Sequence, residues 1–215
     1  LTPEFVAKLG CAYGTTLPKG SFVISGRDAY RSSRMLKRSF IGGLLSSGVN
    51  VRDLTMVPMP VLRYKLRSFG EVGGIQFRQA LDDPASTEII FLDGDGLDFS
   101  SSMGKNVERI FFKENFRRAH HTEPGGLTEI PQQVMDFYRE GFLHAIGKTP
   151  LQKKAFKVVI DFNHSPASQL LPGILTQMGC EVISLNAYVD EERGVQALSD
   201  RGQSLSQLSK IVATL

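Results

Sequence analysis

Short apolar runs alternate with segments of helical period along almost the whole chain, and few folds accommodate that alternation. Residues 22–26 form a brief apolar run ending in glycine. A segment opened by Ser32 or Ser33 follows, in which Met35, Leu36, Phe40, Ile41, Leu44 and Leu45 recur at helical spacing. The pattern then returns, with residues 51–57 as a strand, 59–69 as a proline-started helix, 74–77 and 88–92 as strands, and 103–112 as a basic amphipathic helix. Ahead of them Thr2, Pro3 and Glu4 make a helix start: a threonine cap, a proline in the first turn and an acid at the positive dipole end. A long helix after Pro131 carries Val134, Met135, Phe137, Tyr138, Phe142, Leu143 and Ile146 as its apolar positions. Strands alternating with helices predict an α/β protein, a three-layer α/β/α arrangement around a mixed sheet.

Around Pro150 the chain turns polar and basic, which sets a domain boundary. Residues 1–147 are expected to form one domain and 148–215 the first part of a second, truncated one. In that tail, residues 156–162 and 180–185 read as strands, 168–178 as a helix and 205–215 as the start of another. The chain begins without methionine at a helix start and stops inside a helical pattern, so it reads as a piece of a longer protein. Its 25 Lys and Arg against 22 Asp and Glu leave a net charge of +3, a mixed surface that predicts no nucleic-acid partner. Cys11 and Cys180 lie far apart, without a C-x-x-C pair or a histidine at ligand spacing. They are expected to be buried thiols of a cytoplasmic protein, not a disulfide or zinc ligands. No run approaches 18 apolar residues and no signal peptide is recognisable, so no membrane partner is expected.

The generic cofactor signatures are missing: G-x-G-x-x-G after the first strand, G-x-x-x-x-G-K-[ST], H-E-x-x-H and G-x-S-x-G. Asp93, Asp95 and Asp98 sit close enough in sequence to suggest a hard cation. The EF-hand template nevertheless breaks at Leu97 and Gly104, and a turn whose carboxylates cap backbone amides is the expected role. Asn163-His164-Ser165 matches a glycosylation acceptor, which a cytoplasmic chain does not use. Asp161, Asn163 and His164 also fall in a strand-to-helix loop, where α/β folds place ligand groups or simply tie the turn. Lys105, Arg109, Lys113, Arg117 and Arg118, followed by His120 and His121, read as a solvated face or as a phosphate patch. The loop of residues 25–33 joins a strand end to a helix start, and its Arg27, Arg31 and Ser32 suit an anion, or Arg27 and Asp28 staple the loop.

Taken in order, several segments resemble the first domain of the α-D-phosphohexomutases, the phosphoglucomutase and phosphomannomutase family. They are Leu1-Thr2-Pro3-Glu4-Phe5, Gly26-Arg27-Asp28 with Arg31-Ser32-Ser33, Gly48-Val49-Asn50-Val51 through Val57-Pro58-Met59-Pro60, Gly73-Gly74-Ile75, and Asp93 to Asp98. The tail from Val158-Val159-Ile160-Asp161 to Gly179-Cys180-Glu181-Val182-Ile183 is similar to the opening of that family's second domain. The resemblance implies a four-domain enzyme that interconverts hexose 1-phosphate and 6-phosphate through a phosphoserine and a bound Mg²⁺. It places the metal loop beyond Leu215, so no cofactor is expected in this chain. The expected partners are hexose phosphates and the remaining domains of the parent chain.

At the centre of the pattern the sequence departs from the family. A T-A-S-H-N-P loop follows the glycine pair there, and then N-G-[IF]-K. Aligned without gaps, Arg78, Gln79, Ala80, Leu81 and Asp82 occupy the nucleophile loop, with Ala80 at the serine and Ile90 at the substrate-contacting lysine. Alanine has no oxygen to phosphorylate. The expected function is therefore a sugar-phosphate-binding or structural module without mutase chemistry. Such modules are similar to those fused behind nucleotidyltransferase and left-handed β-helix domains in mannose-1-phosphate guanylyltransferase-like proteins. Arg27, Arg31, Ser32 and Arg78 are its phosphate and sugar candidates. One alternative is an active mutase with a displaced nucleophile, Ser86 being the nearest hydroxyl on the rim. Another is an unrelated doubly wound nucleotide-binding domain, for which the 26–33 loop and the Ala80 loop need not meet.

Overall fold

The opening helix forms as its capping residues predict. Thr2 Oγ1 accepts the Phe5 amide at 3.3 Å and Pro3 begins α1 (Pro3–Thr16). The computed structural model describes residues 1–80, 82–83, 85–147, 156–190 and 201–214. After α1 come β1 (Phe22–Arg27), α2 (Arg31–Ser46), β2 (Asn50–Met56), α3 (Met59–Phe69), β3 (Gly73–Gln79) and β4 (Thr87–Asp93). They are followed by α4 (Ser101–Lys113), β5 (Leu127–Glu129) and α5 (Pro131–Ile146). The tail contributes β6 (Lys157–Asp161), α6 (Leu171–Gln177), β7 (Glu181–Leu185) and α7 (Arg201–Thr214).

Five strands form one mixed sheet in the order β4-β3-β1-β2-β5, with only β4 antiparallel to its neighbour. The chain leaves β1 toward β2 on one side and crosses back to β3 on the other, so the strand order reverses at β1. Alternate residues of each strand face opposite layers. Val23, Val51, Ile75 and Phe77 pack with Val6, Tyr13, Leu36, Phe40, Leu44 and Val107 under α1, α2 and α4. Ile24, Leu54 and Leu92 pack with Val61, Leu62, Leu66, Val134 and Met135 under α3 and α5. This is the three-layer architecture expected from the alternation. Phe40 anchors its centre, fully buried, with edge-on ring contacts to Phe77 and Phe91 at 5.6 and 5.8 Å.

β6 and β7 form a separate two-stranded parallel sheet. The boundary expected at 147/148 meets residues 148–155, which lie outside the described residues, as does Leu215. Leu170, Ile174 and Met178, from the segment after β6, join the cluster that contains Val134 and Met135.

Several expectations are corrected. Neither Ser32 nor Ser33 opens α2, which begins at Arg31 with Tyr30 in the cap position and no capping bond from that side chain. Asp28 takes the role instead, its Oδ1 accepting the Tyr30 amide at 3.0 Å. The helix expected at 168–178 is a 3₁₀ turn, Pro166–Gln169, followed by α6, because Pro172 has no N–H with which to continue a helix across the join. β5 has no counterpart in the sequence pattern, being an exposed edge of three residues, too short for alternation to show.

The basic run does not form one face. α4 ends at Lys113, and Arg117 turns inward, donating from Nε, Nη1 and Nη2 to the carbonyls of Ser47, Leu17 and Gly14 at 2.8, 2.7 and 2.7 Å. Those carbonyls lie where α1 and α2 end, and the last carbonyls of a helix lack intrahelical partners and carry its negative dipole end. Arg118 likewise reaches Cys11 Sγ and Ser46 Oγ at 3.1 and 3.0 Å. At these two positions a helix-end staple replaces the phosphate patch.

Candidate functional site

The two loops singled out in the sequence meet at the carboxyl ends of β1 and β3. Parallel pairing sets Arg27 opposite Phe77, and the Asp28 amide donates to the Phe77 carbonyl at 3.0 Å. Asp28 Oδ2 accepts the Gln79 amide at 2.6 Å, so one carboxylate fastens the α2 entry to the end of β3. Thr87 Oγ1 donates to Ser32 Oγ at 3.1 Å, tying the first turn of α2 to the returning strand. The 26–33 loop and the Ala80 loop therefore share one rim, against the expectation attached to an unrelated doubly wound domain.

Burial raises the Asp28 pKa above its ordinary value near 3.8, opposed by the amides of Gln79 and Tyr30. Burial, and then the Asp28 charge, push the Tyr30 phenol up to about 12. A carboxyl whose folded pKa is raised stabilises the fold fully below its unfolded pKa and loses that contribution as pH rises through the folded one. Asp28→Asn cannot ionise, so its stability relative to the wild type is expected to improve between pH 3.5 and 7. Urea unfolding of both proteins across that range measures the difference; a difference independent of pH would refute it.

Ala80 begins the hairpin between β3 and β4, its amide donating to the Ser86 carbonyl at 2.9 Å. Ser86 Oγ donates to Asp83 Oδ2 at 2.5 Å and the Ala85 amide to Asp83 Oδ1 at 3.0 Å. The Ser86 hydroxyl, aided by the Ala85 amide, holds the Asp83 carboxyl below the usual range. Leu81 lies outside the described residues, and Asp82 is exposed at the hairpin tip. Of the cationic candidates, Arg78 is paired across the strands with Glu88, Nε to Oε2 at 2.9 Å. Arg27 is buried, 7% exposed, and donates to the Asp28 carbonyl at 2.7 Å. Arg31 and Ser32 are exposed on the first turn of α2.

The acidic loop is a turn. Asp93 Oδ1 accepts the amides of Asp95 and Leu97 at 2.9 Å, and Asp98 pairs with Arg63 at 2.6 Å. Among the described residues no group of three or more His, Cys, Asp or Glu side chains converges as a metal site. The Mg²⁺ implied by the family resemblance thus has no fitting ligand set here, and no chemical step is assigned to it. After β6, Asp161 Oδ1 accepts from the Asn163 amide and from Asn186 Nδ2, each at 3.0 Å. His164 Nδ1 donates to the Tyr188 carbonyl at 3.0 Å. Asp161 and His164 thus tie the loops after β6 and β7 together, while Asn163 and His164 help line a cavity of about 180 Å³ against Asp28, Ala29 and Tyr30.

Two features near the rim escaped the sequence reading. Lys37 and Asp53 form a buried ion pair between α2 and β2, Nζ lying 2.5 and 2.6 Å from the two carboxylate oxygens. The signal for Lys37 was present, since it occupies the apolar stripe of α2, where a lysine needs a partner. Thr55 adopts φ 57 at the irregularity where Arg27 pairs with Met56, and its amide donates to Asp53 Oδ1 at 2.8 Å. A β-branched residue in the left-handed region is strained by about 1–3 kcal/mol. Nothing local in the sequence marks it.

Residues 1–118 match the family model described as phosphoglucomutase/phosphomannomutase, alpha/beta/alpha domain I. The chain is 31% identical to a phosphoglucomutase/phosphomannomutase of Thermococcus kodakarensis, over all of this chain and 48% of that protein. It is 33% identical to a probable phosphoglucosamine mutase of Pyrococcus abyssi, over all of this chain and 46% of that protein. The chain spans about half the length of the curated relatives it matches. Its fold superposes on a putative phosphomannomutase from Thermus thermophilus with a TM-score of 0.74 at 19% identity, over 89% of this chain and 43% of the other. No helix among the described residues is long and apolar enough to cross a membrane.

Proposed function

The chain belongs to the phosphoglucomutase/phosphomannomutase family, and on that premise we propose that it keeps the family fold without the phosphoserine cycle, as a hexose-phosphate-binding or structural module. The observation that carries this reading is Ala80. The family resemblance, aligned without gaps, sets it where the family has its serine, and it opens the hairpin that shares a rim with Asp28 and the α2 entry. Phosphoryl transfer through the protein needs an oxygen there, and in-line transfer tolerates little displacement. The adjoining charges also count against transfer at this hairpin, because Arg78 is committed to Glu88 and the tip carries Asp82 and Asp83, which repel a phosphoryl group. A cytoplasmic location, partner domains and Mg²⁺ held after Leu215 belong to the same proposal.

The displaced-nucleophile reading rests on Ser86, whose hydroxyl already donates to a carboxylate. Incubation with glucose 1,6-bisphosphate and Mg²⁺, followed by intact mass measurement beside a phosphorylatable mutase, tests the choice. The expected result is no added phosphoryl group. A gain of one, mapped to Ser86 or to any other hydroxyl, overturns the non-catalytic reading.

A further inference from the structure

At the end of β4 away from the Ala80 hairpin, an open groove of about 730 Å³ runs between α3, the Asp93–Asp98 turn and α5. Its Asp95–Leu97 end lies a seven-residue strand, roughly 20 Å, from the Ala80 hairpin, while Pro60 in the first turn of α3 closes its other end, and no residue of the rim lines it. Its walls are built rather than incidental. Arg63 of α3 donates to the Gly96 carbonyl and to Asp98 Oδ1, both at 2.6 Å, clamping the turn against the helix. Tyr64 lies edge-on to Tyr138 at 5.4 Å and against Phe137 at 5.2 Å. Its hydroxyl reaches the backbone of Gly141, where a Cβ would stand only 1.7 Å away. The absence of a side chain at Gly141 is what lets this tyrosine lie down as a fixed wall.

The chemistry left open in the groove is specific. Asp98 neutralises Arg63, whereas among the described residues neither the Arg67 guanidinium nor the Asp95 carboxylate has a hydrogen-bond or ion-pair partner. One free cation and one free anion give no net attraction for a phosphate or for a metal ion. They do supply donors and acceptors for neutral hydroxyls, while Leu97, 63% exposed, and the half-buried rings of Tyr64 and Tyr138, the latter stacked on Phe142 at 6.0 Å, add apolar lining. A ligand with hydroxyls around its edge and C–H groups on its faces satisfies both. We propose that this groove is a binding site for a neutral oligosaccharide, with Tyr64, Tyr138 and Leu97 against the sugar faces and Arg67 and Asp95 on the hydroxyls. The volume lies within the range of small-ligand sites.

Titration of the 215-residue chain with maltotetraose, followed through its backbone amides by NMR, tests the site. Saturable shifts are expected around Arg63–Arg67, Asp95–Leu97 and Tyr138, and nowhere on the Ala80 rim. Arg67→Ala and Asp95→Ala, both at exposed positions, are each expected to weaken binding about tenfold with unchanged unfolding midpoints. Tyr138→Phe keeps the ring and is expected to bind within about threefold of the wild type. No saturable shift with maltotetraose, or shifts indifferent to Arg67→Ala and Asp95→Ala, overturns the proposal. So does a stronger response of the same amides to glucose 1-phosphate, which marks an anion site, or the same shifts on raising protein concentration alone, which mark a self-association face.

Discussion

Lys37→Met is expected to lower the unfolding free energy by about 3–5 kcal/mol, the cost typical of breaking a buried ion pair from one side. The pair spans the layers, Lys37 from α2 and Asp53 from β2, with side-chain exposures of 5% and 8%. Burial depresses the Lys37 pKa against the opposing pull of Asp53, with a weaker pull from Glu129, so the lysine is poorly solvated and depends chiefly on the Asp53 carboxylate. Asp53 also accepts the amide of strained Thr55, so its loss frees the irregularity in β2 as well as the lysine. Asp53→Asn keeps an acceptor for Thr55 while removing the charge, which isolates the ion pair. In a double-mutant cycle the Lys37→Met/Asp53→Asn protein is expected to recover at least about 1 kcal/mol relative to the sum of the single losses. Urea unfolding midpoints supply all four corners. Additive losses would mean that each side chain is held by other neighbours.

Adjacent glycines of α2 are expected to respond in opposite directions. At Gly43 a Cβ would stand 2.2 Å from the Ala7 carbonyl oxygen and 2.7 Å from the Cys11 amide nitrogen. Both obstacles are backbone of α1, and backbone cannot rotate away as a side chain can. Gly43→Ala must push the two helices apart across the seam that buries Tyr13 against Phe40, and is expected to cost about 1–3 kcal/mol. At Gly42 nothing lies within 4 Å and the position faces solvent, so Gly42→Ala is expected to stabilise by about 0.5–1 kcal/mol. Thermal melts of the two variants beside the wild type decide it; a gain at Gly43 would mean that the α1–α2 seam is looser than the packing describes.

The rim was legible as two loops and not as one site. Arg27, Arg31, Ser32 and Arg78 were reasonable cations and hydroxyls for an anion, yet Arg27 is buried and Arg78 is committed to Glu88. A sequence displays charge but not its partner, and Glu88 becomes the neighbour of Arg78 only through antiparallel registry. Asp28 looked like one half of a local staple with Arg27. Its principal bond goes instead to the Gln79 amide, 51 residues away. Arg117 looked like surface charge and turned out to end two helices, because what needed satisfying was a set of carbonyls that only the packing of α1 on α2 assembles.

Much of the alternation of strands and helices and the capping of α1 by Thr2 could be read from the sequence. Both depend on residue type and on spacing within one element, where side-chain direction follows from a period of two or 3.6. The strand order, the meeting of the Asp28 loop with the Ala80 hairpin, the partner of Lys37 and the groove between α3 and α5 emerge only once the chain is packed. Each is a contact between segments distant in the chain, and it arises because burying both faces of the sheet at once leaves the crossing connections one way to run.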